Sequence, residues 1–353
     1  MRAFWLSTLL FLPLVSACSE SNLARASATD SFSQVPSNEV DVLWIVDNST
    51  SMNEEQASVA NAAADFTEQL ESANMDFHLG VISTDVDPTN ANAGKLLGNP
   101  PYLTSECRND GDNSDCQYSQ QFQSRVLLGT TGSDQEKGLQ AAINATTAPL
   151  SETYNAGFLR DDALLMIIIL SDENDCSDGG ALGTGSTGED CYNGYDQLLP
   201  VADLARQLRD IKNDTLGSVV MSGIIGPDVV DNCEHAVPGK RYRTAIDILG
   251  GAEADICLAD YAPIMQSLGL QASDLISLFQ LTHAADVETI EVSVDPVDGD
   301  AYAVPEDGTN GWTYLEDLAK IQFNGEMVPP RGAAIEVHYV IDGAVPEPDE
   351  SAG

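Results

Sequence analysis

The sequence predicts an α/β fold with a doubly wound, mainly parallel sheet, followed by a small antiparallel β-unit. Continuous apolar runs rich in β-branched residues are typical of strands that are buried on both faces. Helical segments alternate with these runs, and this alternation favours a parallel sheet. After about residue 278 the pattern changes to short strands between Asp-, Gly- and Pro-rich turns, which predicts the second unit. The main apolar runs are 42–46, 77–83, 164–170 and 218–225.

The amino terminus has the proportions of a signal peptide over residues 1–17. An apolar stretch from Ala3 to Val15 follows Met1-Arg2 and is too short for a transmembrane helix. The next residues, Ser16-Ala17-Cys18, resemble a bacterial lipoprotein box, which implies lipid attachment at Cys18. Ser19 at the following position implies the outer membrane by the same resemblance. An ordinary secretory signal with an incidental cysteine is the alternative.

The domain organisation follows from composition. The chain has 353 residues and is 43% hydrophobic, enough for one large core and a smaller unit. The stretch after Cys18 is rich in Ser, Ala and Asn and lacks apolar periodicity, which predicts a flexible tether. The predicted segments are a tether at 18–37, an α/β domain with disulfide-bounded insertions at 38–278, a β-rich domain at 279–343 and an acidic tail at 344–353.

The cysteine count agrees with export. Seven cysteines less Cys18 leave six, an even number that suits an oxidising compartment. Six cysteines allow 15 connectivities, so the sequence leaves the pairing open. A metal-binding role for them is disfavoured because no Cys-x-x-Cys is present. Local pairing would join Cys107 to Cys116, Cys176 to Cys191 and Cys233 to Cys257.

The formal charge is −41 at pH 7, from 56 acidic and 15 basic residues. Such a field repels nucleic acid and anionic lipid surfaces, so neither is expected as a partner. Enzymatic activity is not expected either, since no Gly-x-Ser-x-Gly elbow or His-Glu-x-x-His helix occurs.

The helices of the α/β domain are predicted in order from apolar spacing. The first follows the strand at 42–46 and spans 52–72, with apolar residues on one face. Ser51 and Glu54 have the spacing of a capping box at its start. A strand at 77–83 and a long polar insertion at 85–123 come next. Further helices are predicted at 134–148 and 195–212.

Oxygen-bearing side chains occur at three places in the sequence. Two places directly follow predicted strands, and the third is a loop that lies between those strands along the chain. Asp47, Ser49 and Ser51 alternate directly after the first strand, and Asp172 ends the run at 164–170. Ser133 precedes the pair Gly138-Leu139 by five positions. In open α/β sheets ligands bind where strands end and helices begin. Such oxygens are hard ligands suited to a small divalent cation.

These three motifs resemble the metal-ion-dependent adhesion site of von Willebrand factor type A (VWA) domains, with Ser133 where Thr is commoner. The resemblance covers about residues 38–278 and implies a Rossmann-like fold that binds Mg²⁺, or else Mn²⁺ or Ca²⁺. It implies that Ser49 and Ser51 bind the ion directly, and that Asp47, Ser133 and Asp172 bind directly or through water. It also implies a protein partner whose Asp or Glu completes the coordination.

Several alternatives remain at this stage. Ser51 could cap the helix instead of binding metal, and Asp134, Glu173 and Asp175 beside the ligand positions could point inward and favour calcium or could be solvated. The expected function is metal-dependent protein binding, as in adhesion or scaffolding, by a lipoprotein of the bacterial cell envelope. A metal-dependent hydrolase, or a structural lipoprotein that binds through its β-unit, is the alternative function.

Overall fold

A computed structural model describes residues 26–33, 39–73, 75–106, 117–183, 187–213, 218–229, 233, 236–274, 278–316, 319–324, 327–330 and 333–342. The predicted signal peptide, Cys18, the Cys107–Cys116 pair and the tail at 344–353 lie outside these residues. Among the described residues, no helix has both the length and the apolar character needed to cross a bilayer.

The main sheet has six strands in the spatial order β4-β3-β2-β5-β6-β7. The chain enters at the centre, builds outward to one edge, returns to the centre and builds to the other edge. All neighbouring strands are parallel except the edge pair of β3 and β4. This is the predicted doubly wound sheet. The strands are β2 (Glu39–Val46), β3 (Asp76–Ser83), β4 (Tyr102–Thr104), β5 (Leu164–Ser171), β6 (Val219–Ile225) and β7 (Glu253–Asp255).

Helices cover both faces of this sheet, because successive side chains of the central strand point to opposite sides. Trp44 packs with Phe66 and Phe122 in one layer, while Leu43 and Ile45 belong to the core of the other. The first layer contains α1 (Asn53–Asn61), α2 (Ala63–Ser72), α3 (Tyr118–Val126) and α8 (Ala262–Asp274). The second contains α4 (Gly138–Thr146), α6 (Val201–Asp210) and α7 (Lys240–Leu249), and the short α5 (Gly188–Asn193) lies in a loop.

Helix boundaries differ from the predictions for local reasons. The helix predicted at 52–72 is divided at Ala62, whose backbone leaves the helical region. The helix predicted from 134 begins at Gly138, because residues 133–137 form a loop held to neighbouring strands. The helix predicted from 195 begins at Val201 as a regular α-helix, directly after Pro200.

The smaller unit is antiparallel and has its own core around Val294, Ile321 and Tyr339. Its two sheets have the orders β1-β13-β9-β10 and β11-β12-β8. The strands are β1 (Ser27–Ser33), β8 (Leu278–Gln280), β9 (Glu291–Asp295), β10 (Tyr302–Val304), β11 (Trp312–Leu315), β12 (Lys320–Phe323) and β13 (Ala334–Val340).

The prediction of a flexible tether over 18–37 is wrong for residues 27–33. These residues form β1, which pairs along its whole length with β13. Asp30 is buried in this unit and accepts hydrogen bonds from the Thr282 and Tyr339 hydroxyls at 2.7 and 2.8 Å. The β-unit is therefore built from both ends of the described chain, which a local pattern of small polar residues does not reveal.

A buried ion-pair network closes the amino end of the main sheet. Asp41, near the amino end of β2, is fully buried and accepts hydrogen bonds from Arg160 Nε at 2.8 Å and Arg160 N at 2.7 Å. Lys212 Nζ lies 3.8 Å from the same carboxylate and also donates to the Arg160 carbonyl oxygen. Two basic side chains thus face the buried Asp41 carboxylate, and Arg160 also pairs with Asp76 at 2.9 Å.

We expect Asp41→Ala to lower the free energy of unfolding by about 3–5 kcal/mol, because Arg160 and Lys212 would lose the buried charge that they face. Urea denaturation measures the change. The control is Asp203→Ala, which removes the carboxylate of the exposed Asp203–Arg206 pair and should cost less than about 1 kcal/mol. Equal losses in the two variants would contradict the assigned role of Asp41.

Candidate metal centre

The Asp47 turn brings three of the predicted ligands together. Asp47 follows β2 and is fully buried; its Oδ1 accepts from the Ser49 N–H at 2.8 Å and its Oδ2 from the Ser171 hydroxyl at 2.6 Å. The hydroxyl oxygens of Ser49 and Ser51 lie 3.2 Å apart. Ser49 is buried and Ser51 is half-buried. One carboxylate and two hydroxyls therefore meet at the end of the central strand.

The capping alternative for Ser51 does not hold. Helix α1 begins at Asn53, so Met52 occupies the capping position and no side chain caps the helix. The Ser51 hydroxyl instead lies beside that of Ser49. Both hydroxyls are therefore placed where a cation at this turn would use them.

Asp172 lies at the end of β5, the strand next to β2. The Asp47 N–H donates to the Leu170 carbonyl at 2.9 Å, which fixes the two strand ends side by side. After β2 the chain adds strands toward one edge of the sheet, and from β5 onward it adds strands toward the other edge. The point between β2 and β5 is therefore a topological switch point, where open α/β sheets bind ligands. Asp172 is 2% exposed and lines, together with Ser51, a cavity of about 630 Å³ that also borders Tyr261 and the Cys233–Cys257 disulfide.

The loop that contains Ser133, residues 132–137, contacts the Asp47 turn through its backbone. The Gly132 N–H donates to the Asn48 carbonyl at 2.8 Å, and a Cβ at Gly132 would lie only 2.3 Å from Asn48 Oδ1. Ser133 Oγ accepts from the Gln135 N–H at 3.0 Å. Ser133 lines a separate cavity of about 370 Å³ with Lys137 and Asp178. The structure thus joins the loop to the turn but places Ser133 in a different cavity from Ser51 and Asp172.

Backbone hydrogen bonds join the Ser133 loop to the segments that follow β3 and β5. The Lys137 N–H donates to the Thr84 carbonyl at the end of β3, and the Cys176 N–H donates to the Glu136 carbonyl at 2.6 Å. Asp175 accepts from the Leu139 N–H at the start of α4 and pairs with Arg241 at 3.1 Å. Asp175 is therefore buried but neutralised by an arginine, whereas Asp134 is exposed and Glu173 is half-buried.

The remaining carboxylates crowd around Asp47. Burial raises the pKa of Asp47, against the hydrogen bonds from Ser171 and Ser49. Burial, and then the charge of Asp47, raises the pKa of Glu136 well above its usual range. Burial, followed by the charges of Asp47, Asp172 and Asp134, raises the pKa of Glu173 to about 7. These groups repel one another in a region of low dielectric.

A divalent cation fits this donor set. The two basic side chains beside the loops are occupied, since Lys137 pairs with Asp178 and Arg241 pairs with Asp175. The available donors are carboxylates and hydroxyls, which suit Mg²⁺, Mn²⁺ or Ca²⁺. Across the described ranges, no three His, Cys, Asp or Glu side chains are arranged to hold an ion by themselves, so hydroxyl ligands would be needed.

Sequence reasoning missed three residues of this site. Ser171 binds the Asp47 carboxylate, and Gln56 Nε2 donates to the Asp47 carbonyl at 2.8 Å and the Gly129 carbonyl at 3.0 Å. Glu136 is 1% exposed and faces Asp47. Ser171 could have been found from its place beside Asp172 at a strand end. Gln56 and Glu136 carry no local signal, because only the tertiary fold brings them to Asp47.

No protein-family model matches the chain, and no curated protein matches it. Among solved structures, the pilus adhesin SpaC of Lactobacillus rhamnosus GG is 15% identical, with a TM-score of 0.38 over 85% of this chain and 39% of that one. The manganese-loaded TRAP protein of Plasmodium vivax is 14% identical, with a TM-score of 0.29 over 64% of this chain and 76% of that one. The pilus adhesin RrgA of Streptococcus pneumoniae is 11% identical, with a TM-score of 0.30 over 90% and 59%. The chain thus spans about two fifths of the length of SpaC.

We expect Gln56→Ala to lower the free energy of unfolding by about 1–3 kcal/mol, because it leaves the Asp47 carbonyl and the Gly129 N–H and carbonyl without this buried partner. Chemical denaturation measures the loss. Gln207→Ala is the matched control, since Gln207 is an exposed glutamine whose amide also donates to a carbonyl. A Gln56 variant as stable as the Gln207 variant would contradict this role.

Proposed function

We propose that this protein binds another protein through a divalent cation held by Asp47, Ser49, Ser51, Ser133 and Asp172. The main support is the meeting of Asp47 and the two serine hydroxyls at the switch point of the sheet, beside Asp172. Mg²⁺ is the proposed ion, with Mn²⁺ and Ca²⁺ as substitutes. The five residues are those that match the VWA adhesion motif.

The proposed mechanism depends on how little negative charge the ligands supply. Ser49 and Ser51 are neutral donors, and the Asp47 carboxylate is shared with the Ser171 hydroxyl and the Ser49 N–H. When bound, the cation supplies an incompletely neutralised positive charge that accepts a carboxylate. Ser51 and Asp172 line the cavity of about 630 Å³ through which an acidic side chain of the partner would approach. The partner class is therefore a protein that presents Asp or Glu.

The proposed location is the outer membrane, with a lipid anchor at Cys18. The sequence of residues 1–18 supports the anchor, and two disulfides, Cys176–Cys191 and Cys233–Cys257, support an oxidising compartment. The protein is proposed to act without catalysis, as an adhesion or scaffold lipoprotein of the cell envelope. The anchor would leave the cation site free to meet partners in the periplasm or at the cell surface.

We expect divalent cations to stabilise the protein and Asp47→Asn to abolish the effect. At 100 times the dissociation constant, binding contributes about 2.7 kcal/mol, or a rise of about 5–10 °C in melting temperature. Thermal denaturation with and without Mg²⁺ measures the rise. The control is Asp307→Asn in the β-unit, because Asp307 also accepts a backbone hydrogen bond from the second residue after it. An unshifted wild-type protein would overturn the proposed site.

We expect capture of envelope proteins to require the cation. The full-length protein is used as bait on native envelope extract, with Mg²⁺ or with a chelator, alongside the Asp47→Asn and Asp307→Asn variants. Specific partners should be lost with the chelator and with Asp47→Asn, and kept with Asp307→Asn. Partners that survive both treatments would transfer binding to the β-unit, and metal-dependent turnover of phosphate or ester substrates would favour a hydrolase.

A further inference from the structure

Glu136 is a buried acid that the VWA motif does not explain. It is 1% exposed, and neither of its carboxylate oxygens makes a hydrogen bond of ordinary geometry with a described residue. An isolated buried carboxylate is costly, by several kcal/mol even after local relaxation. Buried polar groups in native proteins nearly always have hydrogen-bond partners or ligands, so we expect this carboxylate to bind a ligand.

The backbone holds Glu136 firmly at the switch point. Its carbonyl accepts from the Cys176 N–H, in the loop after β5, and the next N–H, that of Lys137, donates to Thr84 at the end of β3. The side chain faces Asp47 and Thr84. The adjacent Lys137 points elsewhere, to Asp178 at 2.8 Å. Glu136 is thus fixed beside Asp47 without a basic partner.

Ser133, the motif position in the same loop, is placed differently. Its hydroxyl accepts from the Gln135 N–H and lines the smaller cavity with Lys137 and Asp178. The loop between Ser133 and Gly138 therefore presents a buried carboxylate, that of Glu136, beside Asp47. A cation at Asp47 would meet this carboxylate in addition to the motif hydroxyl of Ser133.

We propose that Glu136 is a further ligand for the cation, from the same loop as Ser133, and raises the affinity of the site for Ca²⁺ relative to Mg²⁺. This inference depends on the proposed cation site at Asp47. Ca²⁺ takes six to eight oxygen ligands in flexible geometry and accepts bidentate carboxylates, whereas Mg²⁺ requires a near-ideal octahedron and keeps several waters. A second buried carboxylate beside Asp47, with the serine hydroxyls, supplies the charge and ligand number that calcium uses.

The test compares Glu136→Gln with a control variant of the same loop, Asp134→Asn. Gln keeps the size of Glu136 and its capacity for hydrogen bonds, and removes only the charge. Asp134→Asn removes the same charge from an exposed position two residues away. Calorimetric titration of the full-length protein with Ca²⁺ and Mg²⁺ gives both affinities for each variant. Thermal denaturation in chelator reports the stability of the metal-free protein.

We expect Glu136→Gln to lower the calcium affinity about tenfold or more and to reduce the calcium-to-magnesium preference. Asp134→Asn should change the calcium affinity less than threefold. In chelator Glu136→Gln should melt at or above the wild-type temperature, because a buried acid without a basic partner is replaced by a neutral amide. With Ca²⁺ it should melt below the wild type, a reversal that a merely structural role would not produce.

The outcomes separate this inference from the proposed function. Wild-type calcium affinity in Glu136→Gln overturns the role of Glu136 and leaves the proposed cation site standing. The same holds if Glu136 is a protonated acid that hydrogen-bonds Asp47, since Gln would replace it without loss. A wild-type protein that binds neither ion overturns both.

Discussion

Repulsion among carboxylates at the carboxyl end of the main sheet is the constraint on which this site depends. Asp47, Glu136 and Asp172 are almost fully buried there, and Glu173 is half-buried beside them. Burial and mutual repulsion raise the pKa of these carboxyl groups, which lowers their negative charge but leaves their polar atoms buried. The arrangement is therefore stable only if other contacts hold the surrounding loops in place. A cation would remove the repulsion directly, which couples metal binding to the stability of the loops.

The loops are held by side chains whose own hydrogen bonds and charges are matched within the chain. The start of α4 is fixed by Asp175, Ser177 and Tyr242, which accept hydrogen bonds from the Leu139, Gln140 and Gly138 N–H groups. Arg241 neutralises Asp175, so the support is complete without a ligand. The support and the proposed ligands therefore differ in kind. The first is a closed network of hydrogen bonds and an ion pair, and the second brings several buried carboxylates together.

The sequence predicts most of the sheet and only part of the site, for the same physical reason. Strands buried on both faces leave continuous apolar runs, and the site residues directly after them, Asp47 and Asp172, are found by position. The edge strand β4 and the strand β1 are short or polar, and their pairing depends on partners distant in sequence. The orientation of Ser133 and Glu136 is likewise decided by contacts with other loops, which no local spacing records.

The two ends of the main sheet treat a buried aspartate differently. Asp41 lies near the start of β2, Asp47 directly follows its end, and both side chains are fully buried. Asp41 faces Arg160 and Lys212, which neutralise it from within the chain. Beside Asp47, the local bases Lys137 and Arg241 are directed to Asp178 and Asp175 instead. Among the described residues, the buried carboxylate of Asp41 therefore has basic partners, whereas that of Asp47 has hydrogen bonds from Ser171 and Ser49 and no ion pair with a base. This difference is the electrostatic argument for the cation proposed at Asp47.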